Sequence, residues 1–305
     1  MIHLEKVGVF LKSGNWLNDV TYSFKSGEHV AVYGKVGSGL SALSHILSGR
    51  LRPHAGIVSY NGRSIHSLNG APQNPVGLVT APILSDSRLT VHEYGQLICQ
   101  SQNLSVEALE QRYPQYRLET LRDHPLNTLS LIQKQCLNLC LASLSPEDYL
   151  ILVNPYQGLG GTDSRTLKSL VSHVMSDKTV ILLSEQLQDI SQAFDTLLIL
   201  KAGKIAQVLN LENLIQASTL QIKMSCRSQD QHVLEKVQDL KTVYQASAIE
   251  DNLEWQLDII PKTNSKDCRE SLYQTAKKYQ WTLHTLTDKE STIEEMLRHA
   301  LGESL

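Results

Sequence analysis

The stretch that most constrains this chain is Val30-Ala31-Val32-Tyr33, then Gly34-Lys35-Val36-Gly37-Ser38-Gly39, then Leu40-Ser41-Ala42-Leu43. Four apolar residues predict a buried strand, the closely spaced glycines a tight turn, and the apolar spacing that follows a helix. A strand, a glycine-rich turn and a helix in that order form the setting in which a phosphate-binding loop is credible. The pattern G-x-x-x-x-G-K-[ST] is met at Gly34, Gly39 and Ser41, while Leu40 stands at its lysine position. Two readings of the glycines stay open. Gly34, Gly37 and Gly39 serve a turn that needs positive φ or close backbone approach, or their backbone N–H groups and the helix N-terminus hold an anion.

Around this stretch, short apolar strands alternate with helices. Strands are expected at His29 to Tyr33, Val76 to Val79, Tyr149 to Val153, Thr179 to Leu183 and Thr196 to Leu200, which implies an α/β domain with a largely parallel sheet. Ile2 to Val9 and Val20 to Lys25 read as an antiparallel pair joined by the turn-prone Lys12-Ser13-Gly14-Asn15. After Asn210 the order changes. Strands at Leu220 to Met224, Thr242 to Ala246, Leu253 to Ile260 and Trp281 to Leu286 interleave with helices at Gln231 to Leu240 and Arg269 to Tyr279, the β-α-β-β-α-β order of a ferredoxin-like α+β unit. A last helix is expected at Thr292 to Leu301. The expected division is residues 1–217 and 218–305.

Composition sets the outer limits. With 28 Lys plus Arg against 31 Asp plus Glu and a net charge of -3, the chain gives no reason to expect a grip on nucleic acid. No apolar run reaches the roughly 20 residues that cross a bilayer, and the N-terminus lacks a signal-peptide layout, so a cytoplasmic protein is expected. The five cysteines form no C-x-x-C pair. Cys136 and Cys140, four apart in an expected helix, read as packing residues.

Longer windows resemble an ATP-binding cassette (ABC) transporter ATPase: Leu51-Arg52-Pro53-His54-Ala55-Gly56 with Asn61-Gly62-Arg63, Leu89-Thr90-Val91-His92-Glu93, and Leu200-Lys201-Ala202-Gly203-Lys204-Ile205. The resemblance implies a P-loop ABC ATPase-like domain, with a mainly parallel sheet, an antiparallel β-subdomain and a helical subdomain. Carried across residue by residue, the Q-loop glutamine falls on Ala81 and the Walker B aspartate on Val153. The catalytic glutamate falls on Asn154, the D-loop aspartate on Gly160 and the switch histidine on Glu185. The signature appears as Leu129-Ser130-Leu131-Ile132-Gln133.

Phosphoryl transfer calls for a cation on the transferring group, a carboxylate on Mg²⁺ and a base for water. Leu40, Val153 and Asn154 supply none of these, and a chain that is not an enzyme is therefore expected. Gly34, Gly37, Ser38, Gly39, Ser41 and the signature Ser130 remain as vestigial binding positions. Lys35 is a less favoured source of positive charge. No resident cofactor is expected, with ATP and Mg²⁺ the weaker alternative. For Phe10 and Trp16, core packing is favoured over stacking on an adenine.

In this family two cassettes pair head to tail, so Leu131 and Ile132, in place of two signature glycines, are expected to hinder the partner's nucleotide. The tail, with Leu253-Glu254-Trp255-Gln256-Leu257 and Ser291-Thr292-Ile293-Glu294-Glu295-Met296-Leu297, resembles the extension of an exporter branch that includes gliding-motility and sodium- or drug-efflux ATPases. The resemblance implies permease subunits and a second cassette as partners, on the cytoplasmic face of the inner membrane. A subunit that assembles or regulates an exporter is the first expectation. An ATP-binding exporter subunit that couples nucleotide to transport is the second, and a cytosolic scaffold the third.

Overall fold

The computed structural model of the chain describes residues 1–10, 16–64, 76–80, 88–213, 221–261, 268–289 and 297. It divides into two units, Met1–Leu211 and Glu212–Leu305.

In the first unit, β1 (Ile2–Phe10) pairs antiparallel with β2 (Trp16–Phe24). The next strand, β3 (Val30–Tyr33), is buried at all four residues and leads into α1 (Leu40–Leu47). Then come β4 (Ala55–Tyr60), β5 (Arg63–Ser64) and β6 (Gly77–Val79). A helical section follows: α2 (Val91–Gln102), α3 (Val106–Arg112) and α4 (Leu131–Ser143). The unit closes with β7 (Tyr149–Val153), α5 (Gly161–Met175), β8 (Thr179–Ser184), β9 (Thr196–Lys201) and β10 (Lys204–Asn210).

Two sheets result, of order β2-β1-β4-β5 and β10-β9-β3-β8-β7-β6. The second is parallel from β9 to β6, with β10 added antiparallel. Strands buried on both faces read as unbroken apolar runs, which is how β3, β7, β8 and β9 are written. Leu40, Leu43, Ile46 and Leu47 of α1 share one core with Ile2, Leu4 and Phe24 of the first sheet and with Val32, Ile151, Leu183 and Leu198 of the second. Each such side chain contributes about 1.5–3 kcal/mol by leaving water, so α1 is held from both sides.

The second unit has β11 (Gln221–Arg227), α6 (Val233–Gln238), β12 (Val243–Asp251), β13 (Glu254–Pro261), α7 (Cys268–Lys278) and β14 (Thr282–Lys289). Its sheet has the order β12-β13-β11-β14 with antiparallel pairing, the ferredoxin-like arrangement. Ile222, Met224, Trp255, Leu257 and Ile259 turn to one face and pack on Val233, Val237, Leu272 and Ala276 of the two helices. The last expected helix, Thr292 to Leu301, lies outside the described residues except for Leu297, which is buried.

Candidate functional site

The turn after β3 is built from backbone. Gly34 N–H donates to Ser184 O at 3.2 Å and Ser38 N–H to Lys35 O at 2.9 Å. Gly37 and Gly39 have φ of 83° and 107°, the left-handed region that favours glycine. At Gly39 an added Cβ would stand 2.7 Å from Trp16 O, a backbone atom. At Gly34 it would stand 2.3 Å from Ser38 Oγ, so the missing side chain makes room for that serine. The β9–β10 turn closes the flank: Gly203 N–H donates to Ser38 O and Asn18 N–H to Gly203 O, both at 2.8 Å.

Gly39 caps α1 without a side-chain hydrogen bond, and no acidic residue lies in the helix's first turn. The first N–H groups of a helix lack intrahelical partners and carry the positive end of its dipole. Gly37 opens on space, since an added Cβ would meet nothing within 4 Å. Ser38 Oγ is buried without a hydrogen-bond partner. The turn therefore fits a phosphate group by its backbone. Leu40, at the lysine position, is 6% exposed and belongs to the core; Ser41 and Lys35 are exposed.

At the end of β7, side chains add to the backbone bond from Asn154 N–H to Leu183 O at 2.8 Å. Val153 packs against the main core. Asn154 has φ of 45°, and its Oδ1 accepts a hydrogen bond from Glu185 N–H at 3.1 Å. This ties the position after β7 to the position after β8. Behind it, Asp189 is buried and accepts a hydrogen bond from Ser184 Oγ. Burial holds its carboxyl above the ordinary range, while the Ser184 bond and the Lys168 charge oppose the shift. Gly160 caps α5 with open space at its Cα.

The signature segment is the start of α4. Ser130 and Gln133 form a capping box: Ser130 N–H donates to Gln133 Oε1 at 2.8 Å, and Gln133 N–H to Ser130 Oγ at 3.4 Å. A Cβ added at Gly158 would stand 3.1 Å from Leu131 Cδ2, so Leu131 lies against its own chain. Further along α4, the fully buried Gln135 donates from Nε2 to Pro155 O at 3.1 Å. Cys136 and Cys140 are buried, which pushes their thiols up to about 11 and about 12.

A second capping box, Thr90 with Glu93, starts α2. Its S/T-x-x-E signal stood in the sequence within Leu89 to Glu93. Tyr94 and Ile98 of α2, Asn138 and Leu141 of α4, and Gly77 and Leu78 of β6 line a cavity of about 440 Å³. Ala81 lies outside the described residues.

The packing expected of Phe10 is corrected: it is 68% exposed, because it ends β1 with its side chain outside both sheets' shared core. Trp16 is half-buried, with its backbone and ring against Gly203.

Residues 17–157 match the family described as ABC transporter. The chain is 24% identical over 226 residues to the uncharacterized ABC transporter ATP-binding protein YcbN of Bacillus subtilis, covering 72% of this chain and 73% of YcbN. It is 29% identical over 218 residues to the human ATP-binding cassette sub-family C member 4, covering 68% of this chain and only 16% of that larger protein. Among solved structures, the dimeric ATP-binding cassette MJ0796 in a post-hydrolysis state with ADP and Pi superposes with a TM-score of 0.60 at 19% identity, over 69% of this chain and 98% of that one.

These matches overturn the expectation that the chain is not an enzyme. Its likeness is to ABC ATPases, which are ATP-hydrolysing enzymes, and the residue substitutions alone do not remove it from them. That expectation rested on side-chain identity at Leu40, Val153 and Asn154, whereas the turn after β3 is held by backbone hydrogen bonds. Residues 17–157 are thus similar to the ABC transporter family, and the first unit has the fold of an ATP-binding cassette.

Proposed function

We propose that this chain is the ATP-binding subunit of an ABC exporter, which takes nucleotide at the turn Gly34 to Ser41 and couples its binding to transport. The observation that carries this reading is the backbone cradle: left-handed Gly37 and Gly39, an open approach at Gly37, and the uncapped N-terminus of α1. Such a cradle binds phosphate through N–H groups and the helix dipole, without requiring a side-chain cation. Ser38 Oγ and the exposed Ser41 supply hydroxyls beside it. Bound ATP supplies the phosphoanhydride whose binding and release drive the transport cycle. The tie from Asn154 Oδ1 to Glu185 N–H holds the two strand ends beside the cradle in one register.

The partners in this reading are a second cassette and membrane permease subunits. MJ0796 is a dimer in the solved structure. The cavity between α2, α4 and β6 offers a place for a permease segment, with apolar Ile98, Leu141 and Leu78 beside polar Asn138 and Gln102. No helix among the described residues is long and apolar enough to cross a membrane, so the spanning part belongs to those partners. The exporter assignment follows the resemblance of the tail.

Calorimetry of the full chain with Mg-ATP tests the reading, together with phosphate release measured alone and with co-purified membrane subunits. Micromolar affinity that is lost in Gly39→Ala, with a permease in the co-purified material, is expected. Absence of nucleotide binding in both settings would overturn it.

A further inference from the structure

The open face of the second unit's sheet carries a charge pattern that is complementary to itself. One face of this sheet is covered by α6 and α7 through Met224, Trp255, Leu257 and Ile259. The residues between them in sequence point the other way, and the strand register sets them in three rows. The first runs Ser247, Asp258, Lys223 across β12, β13 and β11; the second Ile249, Gln256, Ser225, Thr285 across these and β14; the third Asp251, Glu254, Arg227, Thr282. Central strand β11 is therefore basic, with Lys223 and Arg227, while its neighbour β13 is acidic, with Asp258 and Glu254 at the same two levels. In the middle row lie Ile249, 73% exposed, and the hydrogen-bonded hydroxyls of Ser225 and Thr285, 2.6 Å apart. A shallow depression of about 310 Å³ runs over the first two rows.

We propose that this face pairs with the same face of a second copy of the chain, about a two-fold axis parallel to the strands and midway between β11 and β13. Such an axis places each β11 over the other copy's β13 and keeps the levels of the rows. Lys223 then meets Asp258 of the second copy, and Arg227 meets its Glu254, twice each by symmetry. Two-fold interfaces are self-complementary in just this residue-by-residue sense. The alternative axis, perpendicular to the strands, would reverse the levels and set Lys223 of one copy over Arg227 of the other if β11 faced β11; like charges there disfavour it. The chosen axis also keeps the strands of the two sheets aligned, as face-to-face sheets prefer.

Within each sheet, Arg227 Nε already lies 3.9 Å from Glu254 Oε1, and His284 Nε2 lies 3.2 Å from Glu254 Oε2. These exposed pairs are worth little in water, so they can be shared across an interface at little cost. Four strands and about eight residues span a face of about 19 by 26 Å, or about 500 Å² per copy. This is at the low end for a specific interface. The pairing is therefore weak and reversible, and it involves neither the nucleotide turn nor any nucleotide.

The full chain, free of nucleotide and with chelator present, tests this by sedimentation over a range of concentrations. A concentration-dependent dimer is expected, weakened at least tenfold by Ile249→Glu. The sharper test uses two charge variants: one in which β11 and β13 are both basic on this face, Asp258→Lys with Glu254→Lys, and one in which both are acidic, Lys223→Asp with Arg227→Asp. Each is expected to be monomeric alone, and the two mixed are expected to form a one-to-one dimer. A structural role within one sheet predicts no such rescue on mixing. Circular dichroism verifies that both variants are folded; should either fail, Lys223→Gln with Arg227→Gln mixed with wild type gives the same reading through a reduced dimer fraction and weaker salt dependence. A wild-type chain that stays monomeric at all concentrations, or variants that fail to pair on mixing, would overturn the proposal. Dimerisation that appears only with ATP would also overturn it, and would assign the pairing to the cassette.

Discussion

The turn after β3 and the end of β7 flank the same central strand, β8, yet side chains add to the backbone bonds only after β7 among the hydrogen bonds named above. After β3 the chain is fixed by backbone: glycines at positive φ, carbonyls from Ser184 and Lys35, and the Gly203 turn closing the side. After β7 side chains add to a backbone bond from Asn154 N–H to Leu183 O: Asn154 Oδ1 accepts from Glu185 N–H, and Gln135 Nε2 donates to Pro155 O. A backbone cradle keeps its shape when its neighbours' side chains change. A side-chain clasp redefines itself with every substitution. This contrast explains how the turn keeps its shape with Leu40 in the lysine position of the loop pattern.

The contrast can be broken most severely at Leu40, whose side chain anchors the turn to the core. Leu40→Ala is expected to cost about 2–5 kcal/mol in denaturant unfolding, and a cost below 1 kcal/mol, on the order of an exposed site, would show that the anchor lies elsewhere. Next comes Gly39→Ala, which meets both a positive φ and the Trp16 carbonyl. Its expected cost is about 1–3 kcal/mol from the backbone conformation alone, and greater than that of Gly37→Ala, where space is open. Equal costs at the two glycines would mean that close approach to Trp16 contributes nothing.

On the side-chain half of the comparison, Asn154→Ala removes one hydrogen bond and leaves an alanine at φ of 45°. About 1–2 kcal/mol is expected, with faster hydrogen exchange at Glu185 N–H as the specific sign. Ser130→Ala removes a helix cap and is expected to cost about 1 kcal/mol, read from the melting temperature.

The smallest effect concerns acidity. His29 Nδ1 accepts from Val180 N–H at 3.2 Å, a bond that only the ring unprotonated at Nδ1 can make. Burial holds the His29 pKa below its ordinary 6.5, against the pull of Asp195. Because the folded value lies below the unfolded one, the contribution is complete above 6.5 and is lost as pH falls through the folded value. Stability is therefore expected to drop on mild acidification, and His29→Gln to flatten that drop; an unchanged slope in the variant would remove His29 from the account.

Much of this architecture was legible in the residues, for reasons that differ from place to place. The strand Tyr149 to Val153 coincides with β7, since a strand buried on both sides is an unbroken apolar run bounded by polar residues. The ferredoxin-like order of the second unit was readable from its alternating periods. By contrast, β4 was not anticipated: Ala55, Gly56 and Ile57 are exposed, so it lacks the apolar signal that marks a strand. At the site, the glycines of the turn were read directly. What sequence could not show was direction: that Leu40 points into the core, that Phe10 points out of it, and that Ser130 caps its own helix rather than standing free. Family positions say which residue stands where, but hydrogen bonds decide what it does there.

The Gly203 turn carries one more consequence, in the order of assembly. β3 is flanked by β8 and β9, and the loop beside it is closed by a residue some 165 positions further along the chain. Contacts of such long sequence separation form late and slowly. On the ribosome, where synthesis runs from the N-terminus, the glycine turn stays incomplete until the β9–β10 hairpin has emerged. The turn thus lacks its finished geometry before nearly all of the first unit has been made, and any truncation before Gly203 leaves it open along one side.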